Sequence, residues 1–125
     1  MREQDLGRWI DAYERAWRTP GTDQLEELFA PDARYSAAPF EPPIQGLAAI
    51  ATFWEAERES AVEAFAIASN PVAVQGDVGV ARVEVRYFDP PERVYRDLWI
   101  VTLDERGRCR AFEEWPFFPG QPRAL

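Results

Sequence analysis

The hydrophobic period of this chain changes once, near residue 64, and no other feature limits its fold as tightly. From Gln4 to about Arg18 the apolar residues Leu6, Trp9, Ile10, Tyr13 and Trp17 recur at the three-and-four spacing that puts them on one stripe of a helix. Thr19-Pro20-Gly21-Thr22 stops that helix. Thr22 or Asp23 can cap a short second one carrying Leu25, Leu28 and Phe29, which Pro31 ends. Ala33 to Ala37 reads as a brief strand. Pro39, Pro42 and Pro43 hold the next segment extended up to Gly46, and Leu47, Ile50, Phe53 and Trp54 mark a third helix running to about Glu59. Beyond Ala64 the period is two, over Phe65 to Gln75, Val80 to Phe88, Arg93 to Leu103 and Arg108 to Phe117. Gly76-Asp77, Asp89-Pro90-Pro91-Glu92 and Asp104-Glu105-Arg106-Gly107 are the turns of an antiparallel meander, and Pro119 to Leu125 is a ragged tail. Helices first and strands after predict an α+β fold, with three N-terminal helices packed on a curved antiparallel sheet.

A chain of 125 residues is one domain, residues 1–125, and can bury roughly two-thirds of its unfolded surface around one core. Apolar residues make up 46% and aromatics 14%, so the interior is bulky and some rings are available to line a cavity. The formal charge of -8 repels phosphate backbones and anionic lipid, which argues against nucleic acid and membrane surfaces as partners. No apolar run approaches the ~20 residues that span a bilayer, and the charged start M-R-E-Q-D-L-G-R-W is unlike a signal peptide, so a cytoplasmic location is expected.

What is missing narrows the chemistry. The chain has no His and its 14 basic residues are all Arg, which removes imidazole bases, histidine metal ligands, catalytic triads and lysine Schiff bases. The single Cys109 excludes an internal disulfide and a Cys-rich metal site, and reads as a small buried hydrophobe in a strand. Neither an Asp-rich calcium loop nor a glycine-rich phosphate loop is present, so no cofactor is expected and proton chemistry falls to Asp, Glu, Tyr or water.

The cassette W-I-D-A-Y-E-R-A-W, L-E-E-L-F-A-P-D-A-R-Y and P-F-E-P-P-I-Q-G-L-A-A-I-A-T-F-W, followed late in the chain by D-L-W-I-V-T-L-D-E-R-G-R-C-R-A-F-E-E-W-P-F, resembles the SnoaL-like, nuclear-transport-factor-2-like superfamily over nearly the whole sequence. The resemblance implies a cone-shaped pocket walled by the helices and closed by the last hairpin. It says little about reaction, since one pocket on this fold serves isomerases, dehydratases, cyclases, epoxide hydrolases and plain binding domains. Trp17, Tyr35, Phe40 and Trp54 lie where the family's pocket rim and wall fall, so the resemblance implies ligand contact there, whereas Trp9, Ile10 and Phe53 read as core alone.

If Leu103 pairs with Arg108 across a four-residue turn, Asp97 faces Glu114 and Trp99 faces Phe112. A tighter turn at Arg106-Gly107 slides the register by two and keeps every side chain on its face; a three-residue turn breaks the grouping. Leu98, Ile100, Ala111 and Trp115 occupy the other face, an apolar patch that predicts a homodimer through the convex side of the sheet. Aligned with ketosteroid isomerase, a member of the superfamily, Tyr13 matches the oxyanion-donating tyrosine, and the second acid falls on Trp99, which makes Asp97, Trp99, Phe112 and Glu114 the pocket face. Ala38 before Pro39 replaces that enzyme's catalytic base. Steroid isomerisation by its mechanism is therefore rejected.

Asp97 and Glu114 in a poorly solvated cavity cannot both ionise cheaply, so one of them should keep its proton toward neutral pH and serve as a general acid. The alternative is that an arginine neutralises them; Arg82, Glu84 and Arg86 alternate on the neighbouring strand and read as a solvated face, as do Glu55, Glu57 and Glu59 on the third helix. Tyr13 reads equally as a core ring or as a ligand contact. Two functions follow. One is a small-molecule pocket protein acting as a cofactor-free lyase, isomerase or hydrolase by carboxylate acid/base chemistry on an apolar, ring-bearing substrate, with Asp97, Glu114 and Tyr13 catalytic and Trp17, Tyr35, Phe40, Trp54, Trp99 and Phe112 holding the ligand. The other is a non-catalytic binding or dimerisation module.

Overall fold

In a computed structural model, residues 1–58 and 64–124 are described. Helix α1 spans Glu3–Arg18, α2 Leu25–Leu28 and α3 Leu47–Glu57; the strands are β1 Phe29–Ser36, β2 Ile44–Gln45, β3 Phe65–Gln75, β4 Val78–Tyr87, β5 Arg93–Leu103 and β6 Cys109–Phe117. Of the expected stripe on α1, Leu6, Trp9, Ile10 and Tyr13 are buried together with Ala16, while Trp17 is half-buried. Its start is held by the Asp5 carboxylate, which accepts the Arg2 backbone N–H at 2.7 Å, a charge placed where the helix dipole favours it. Glu59, the expected end of the third helix, lies outside the described residues; Arg58 is already extended at φ -75, ψ 113.

All the strands join one sheet in the order β2-β1-β6-β5-β4-β3. The meander β3 to β6 is antiparallel throughout, as its period and turns imply. The sheet as a whole is mixed, because β1 runs parallel to β6, with Tyr35 opposite Phe112. This corrects the expectation of a purely antiparallel sheet. Between the two strands the chain passes through α3 and the whole meander, so β6 arrives beside β1 in the same direction, and a period of two carries no sign of direction. Strand β1 also starts earlier than Ala33 and runs through Pro31, which falls where the β1–β6 register shifts and beyond the reach of β2, so no ladder bond is asked of it.

The three helices pack on the sheet face that carries Trp99, Val101 and Phe112, and their buried side chains form one cluster with it. Tyr13 meets Trp99 at 4.6 Å between ring centroids, Trp9 meets Phe112 at 5.4 Å, and Trp54 of α3 meets Phe29 at 6.3 Å. The fit changes along α1. At its first turn the helix lies so close to β4 that a Cβ on Gly79 would come within 2.8 Å of the Met1 sulfur and 3.0 Å of Leu6. Toward its last turn the inward residues of β4 enlarge from Gly79 and Ala81 to Val85 and Tyr87, and a cavity remains between helix and sheet. No helix among the described residues is long and apolar enough to cross a membrane.

Candidate functional site

The cavity holds about 270 Å³ and lies between the last turns of α1, the end of α3 and the β3–β6 ends of the strands, with Tyr13, Glu14, Trp17, Tyr35, Phe53 and Glu57 on the helical and β1 side. Phe65, Ile67, Val85, Tyr87, Arg93, Tyr95, Asp97, Trp99, Glu114 and Pro116 form the sheet side. A larger groove of about 1080 Å³ opens at the other end of α1, around Asp5, Arg8, Asp104 and Arg108. Its wide charged rim is open to water, whereas the smaller cavity is walled by rings, and it is the smaller one that holds the buried carboxyls.

Two hydrogen-bonded chains reach into it. Tyr35 Oη donates to Glu114 Oε2 at 2.8 Å and lies 3.2 Å from Tyr13 Oη. A hydroxyl has one proton to give, so when Tyr35 donates to Glu114 it must accept from Tyr13. On the neighbouring strand the Trp99 indole N–H donates to Asp97 Oδ2 at 3.0 Å, and Asp97 Oδ1 is buried without a partner among the described residues. Neither carboxyl is in an ion pair with an arginine among these residues. The nearby Glu84 instead faces Arg86 and Arg96 at 3.7 and 3.8 Å on the outer face of the sheet.

Burial dominates the electrostatics. It pushes Glu114 up to about 7; the hydrogen bond from Tyr35 opposes this, and the negative charges of Asp97 and Glu57 add to it. Asp97 is pushed to about 6 by burial against the opposing indole bond. Glu114 bears on Asp97 less than the reverse because Glu114 holds the higher value and is largely neutral while Asp97 titrates. Part of Glu114 is accessible through the cavity, which water can enter, yet burial remains the largest cause of its shift. The tyrosine hydroxyls of Tyr13 and Tyr35 are pushed well above the ordinary value, by burial first and by the Glu114 charge second. Near neutral pH the site therefore offers a Glu114 that is protonated in about half of the molecules beside a mostly ionised Asp97, an acid and a base of nearly the same strength. Among the described residues, no three His, Cys, Asp or Glu side chains cluster as a metal site.

Of the residues singled out in the sequence, Tyr13, Trp17, Tyr35, Asp97, Trp99 and Glu114 line this one cavity. Three do not. Phe40 is fully exposed on the Pro-rich loop, while Trp54 and Phe112 are completely buried behind the wall, Trp54 edge-on to Tyr13 at 5.0 Å and Phe112 beneath Tyr35 at 4.9 Å. The direct opposition of Asp97 and Glu114 is also corrected. Asp97 faces Pro116 and Trp99 faces Glu114, so the carboxyls are diagonal neighbours on one face. The turn causes the slip: Asp104 Oδ1 accepts the backbone N–H of Arg106 and of Arg108, each at 2.9 Å, Gly107 adopts φ +81, and Leu103 pairs with Cys109 ahead of a further shift at Thr102. Two single-residue shifts add to two, and the faces are kept. Cys109 is buried, its thiol pushed up to about 12 by burial. Phe53, read as core, instead lines the cavity, and Phe65, Tyr87 and Tyr95 were missed. Tyr95 has the parity of Asp97 and Trp99, a signal that was there to be used.

The geometry can be set beside known proteins. A comparison with curated proteins finds no match. Among solved structures, an LEH-like epoxide hydrolase from M. tuberculosis superposes with a TM-score of 0.70 at 15% identity, covering 91% of this chain and 84% of that one. A candidate polyketide cyclase from Sinorhizobium meliloti gives a TM-score of 0.62 at 26% identity, over 91% of this chain and 99% of the other. A third, described as Rd1NTF2_04 with long sheet, gives 0.63 at 15% identity, over 86% and 96%. The model of the SnoaL-like domain matches residues 9–112, from the first tryptophan of α1 to the buried Phe112 of β6, and the chain belongs to the SnoaL-like family.

Proposed function

We propose that the cavity binds a small, apolar, ring-bearing molecule and that Glu114 and Asp97 move protons on it without a cofactor, in a lyase, isomerase or hydrolase reaction. The observation that carries this reading is the Tyr13–Tyr35–Glu114 chain ending in a ring-lined cavity of about 270 Å³ that Asp97 also lines. A cavity of ~150 Å³ takes a benzene ring, so this one, at about 270 Å³, has room for one substituted ring. Trp17, Trp99 and Phe53 hold its faces. Glu114 gives a proton, Asp97 accepts one, and Tyr13 keeps Tyr35 oriented toward Glu114. The likeness to a candidate polyketide cyclase at 26% identity is in keeping with proton chemistry on ring compounds.

Native mass spectrometry of the purified chain, followed by turnover assays of the molecule that co-purifies, tests the proposal. The amides E114Q and D97N keep shape and lose the proton, so each should lower turnover by about 100-fold or more while the fold persists. Full activity in both would leave the carboxyls structural and favour the second reading, a non-catalytic binding module. That reading draws on the cavity volume, which lies just below the ~300 Å³ from which ligand pockets usually start. In either reading we place the dimer contact on the outer sheet face, where Leu98 is exposed and Ile100, Ala111 and Trp115 are half-buried.

A further inference from the structure

Asp97 holds an unanswered demand. The residue is 6% exposed; one carboxylate oxygen takes the Trp99 indole N–H, and the other, Oδ1, accepts from nothing among the described residues although the side chain lines the cavity. A buried carboxylate short of donors is costly, so a molecule in the cavity gains most by bringing a donor to Asp97. A carbonyl or carboxylate group cannot do so. A hydroxyl or a protonated amine can.

The charges and rings around it decide between these two. Glu14, Glu57, Asp97 and Glu114 line the cavity, with Arg93 as its basic residue among those described. Glu14 is matched by Arg18 at 2.9 Å, which leaves three carboxyls set against one guanidinium. The rings of this wall already accept cations at their faces: the Arg18 guanidinium carbon sits 3.9 Å from the Phe65 ring centre, that of Arg93 4.6 Å from Tyr87, and that of Arg58 5.2 Å from Trp17. Trp99 and Tyr95, on the same strand face as Asp97, extend the aromatic surface to the carboxylate itself. The net charge of -8 draws cations to the whole molecule.

We propose that the ligand of this cavity is an organic cation, a ring-bearing molecule whose protonated amine donates to the Asp97 carboxylate on the strand face that also carries Trp99 and Tyr95. This rests on the reading that the cavity is a ligand site, and replaces the apolar molecule by a ring-bearing one with a charged head. Asp97 then anchors the nitrogen instead of accepting a proton, and Glu114, fed by Tyr35, faces the rest of the molecule.

Benzylamine, benzyl alcohol and benzoate share one ring and differ in the charge and donors of the head group. Their binding to the unmodified chain is followed by NMR titration of the cavity resonances, those of the Trp17 and Trp99 indoles among them. Benzylammonium should bind at least about tenfold more tightly than benzyl alcohol, as a charge-assisted hydrogen bond implies, with benzoate weakest. In D97N the amine should lose that preference and bind no more tightly than the alcohol does to the same variant. Equal binding of amine and alcohol, tighter binding of benzoate, or a preference that survives D97N would overturn the inference. The comparison on the unmodified chain suffices should D97N fail to fold. Alcohol binding in the cavity without preference for the amine removes only the cation and leaves the ligand site standing; if none of the three shifts cavity resonances, both readings fall.

Discussion

Tyr35 shows how much rests on one hydroxyl. It is 2% exposed and joins Tyr13 to Glu114, so Tyr35→Phe strands two polar groups at once and should lower stability by about 1–3 kcal/mol in denaturant titration. Its bond favours the ionised carboxylate, so the same substitution should raise Glu114 above its value of about 7 in a carboxyl-resolved NMR titration. An unchanged or lower value would mean that Tyr35 does not act on Glu114. A second consequence is a pH dependence of stability. Asp97 and Glu114 hold protons more tightly folded than unfolded, so the folded chain binds the extra protons between about pH 4 and 7, and stability falls as pH rises through that window. Below it the penalty is absent; above it the penalty is complete. E114Q should flatten the profile and, at alkaline pH, exceed the unmodified chain by about 2 kcal/mol, below the ~3 kcal/mol that so large a shift represents because water reaches the cavity. Thermal melts across the window check the sign. Parity grouped both carboxyls on one face and the family resemblance made it the pocket face, but their burial, and so their titration, depends on helices that parity does not see.

At the scale of elements the closing hairpin decides the site. Its faces were legible because any even slip preserves them, while the pairing itself was not, since a bulge and a side-chain-capped turn cost little and leave no periodic trace. Asp104 fixes that turn through two backbone N–H groups and an ion pair with Arg108 at 3.5 Å. Asp104→Ala should cost about 1–2 kcal/mol and speed amide exchange at Arg106 and Arg108, with the loss of order spreading toward Glu114. Exchange unchanged at those amides would mean that the strands, not Asp104, hold the register. Helix α1 was legible residue by residue from its stripe. Strand β1 was not, because Pro31 argues against a strand unless its two neighbours are known to leave it unasked, and the two-residue β2 is too short to carry a period at all.

On the scale of the whole molecule, the outer sheet face carries the remaining prediction. Light scattering should report twice the chain mass at tens of micromolar, and Trp115→Glu together with Leu98→Glu should give a folded monomer with the cavity intact. A monomeric unmodified chain would refute the dimer. By itself the sequence determined the order of helices and strands, the change of period that makes the fold α+β and the face each strand residue shares with its neighbours, and its resemblance to the family pointed to six of the residues that line the cavity. The first three are properties of local geometry, repeated every few residues and insensitive to what lies across the core. Tertiary structure alone decided that β1 runs parallel to β6, that Phe40 stands in solvent while Trp54 and Phe112 lie behind the wall, and that Tyr35 bridges Tyr13 to Glu114. Each of these depends on where distant segments meet, which is set by the packing of rings of particular size against Gly79 and Ala81 at one end of α1 and Val85 and Tyr87 at the other, and no pattern along the chain records that fit.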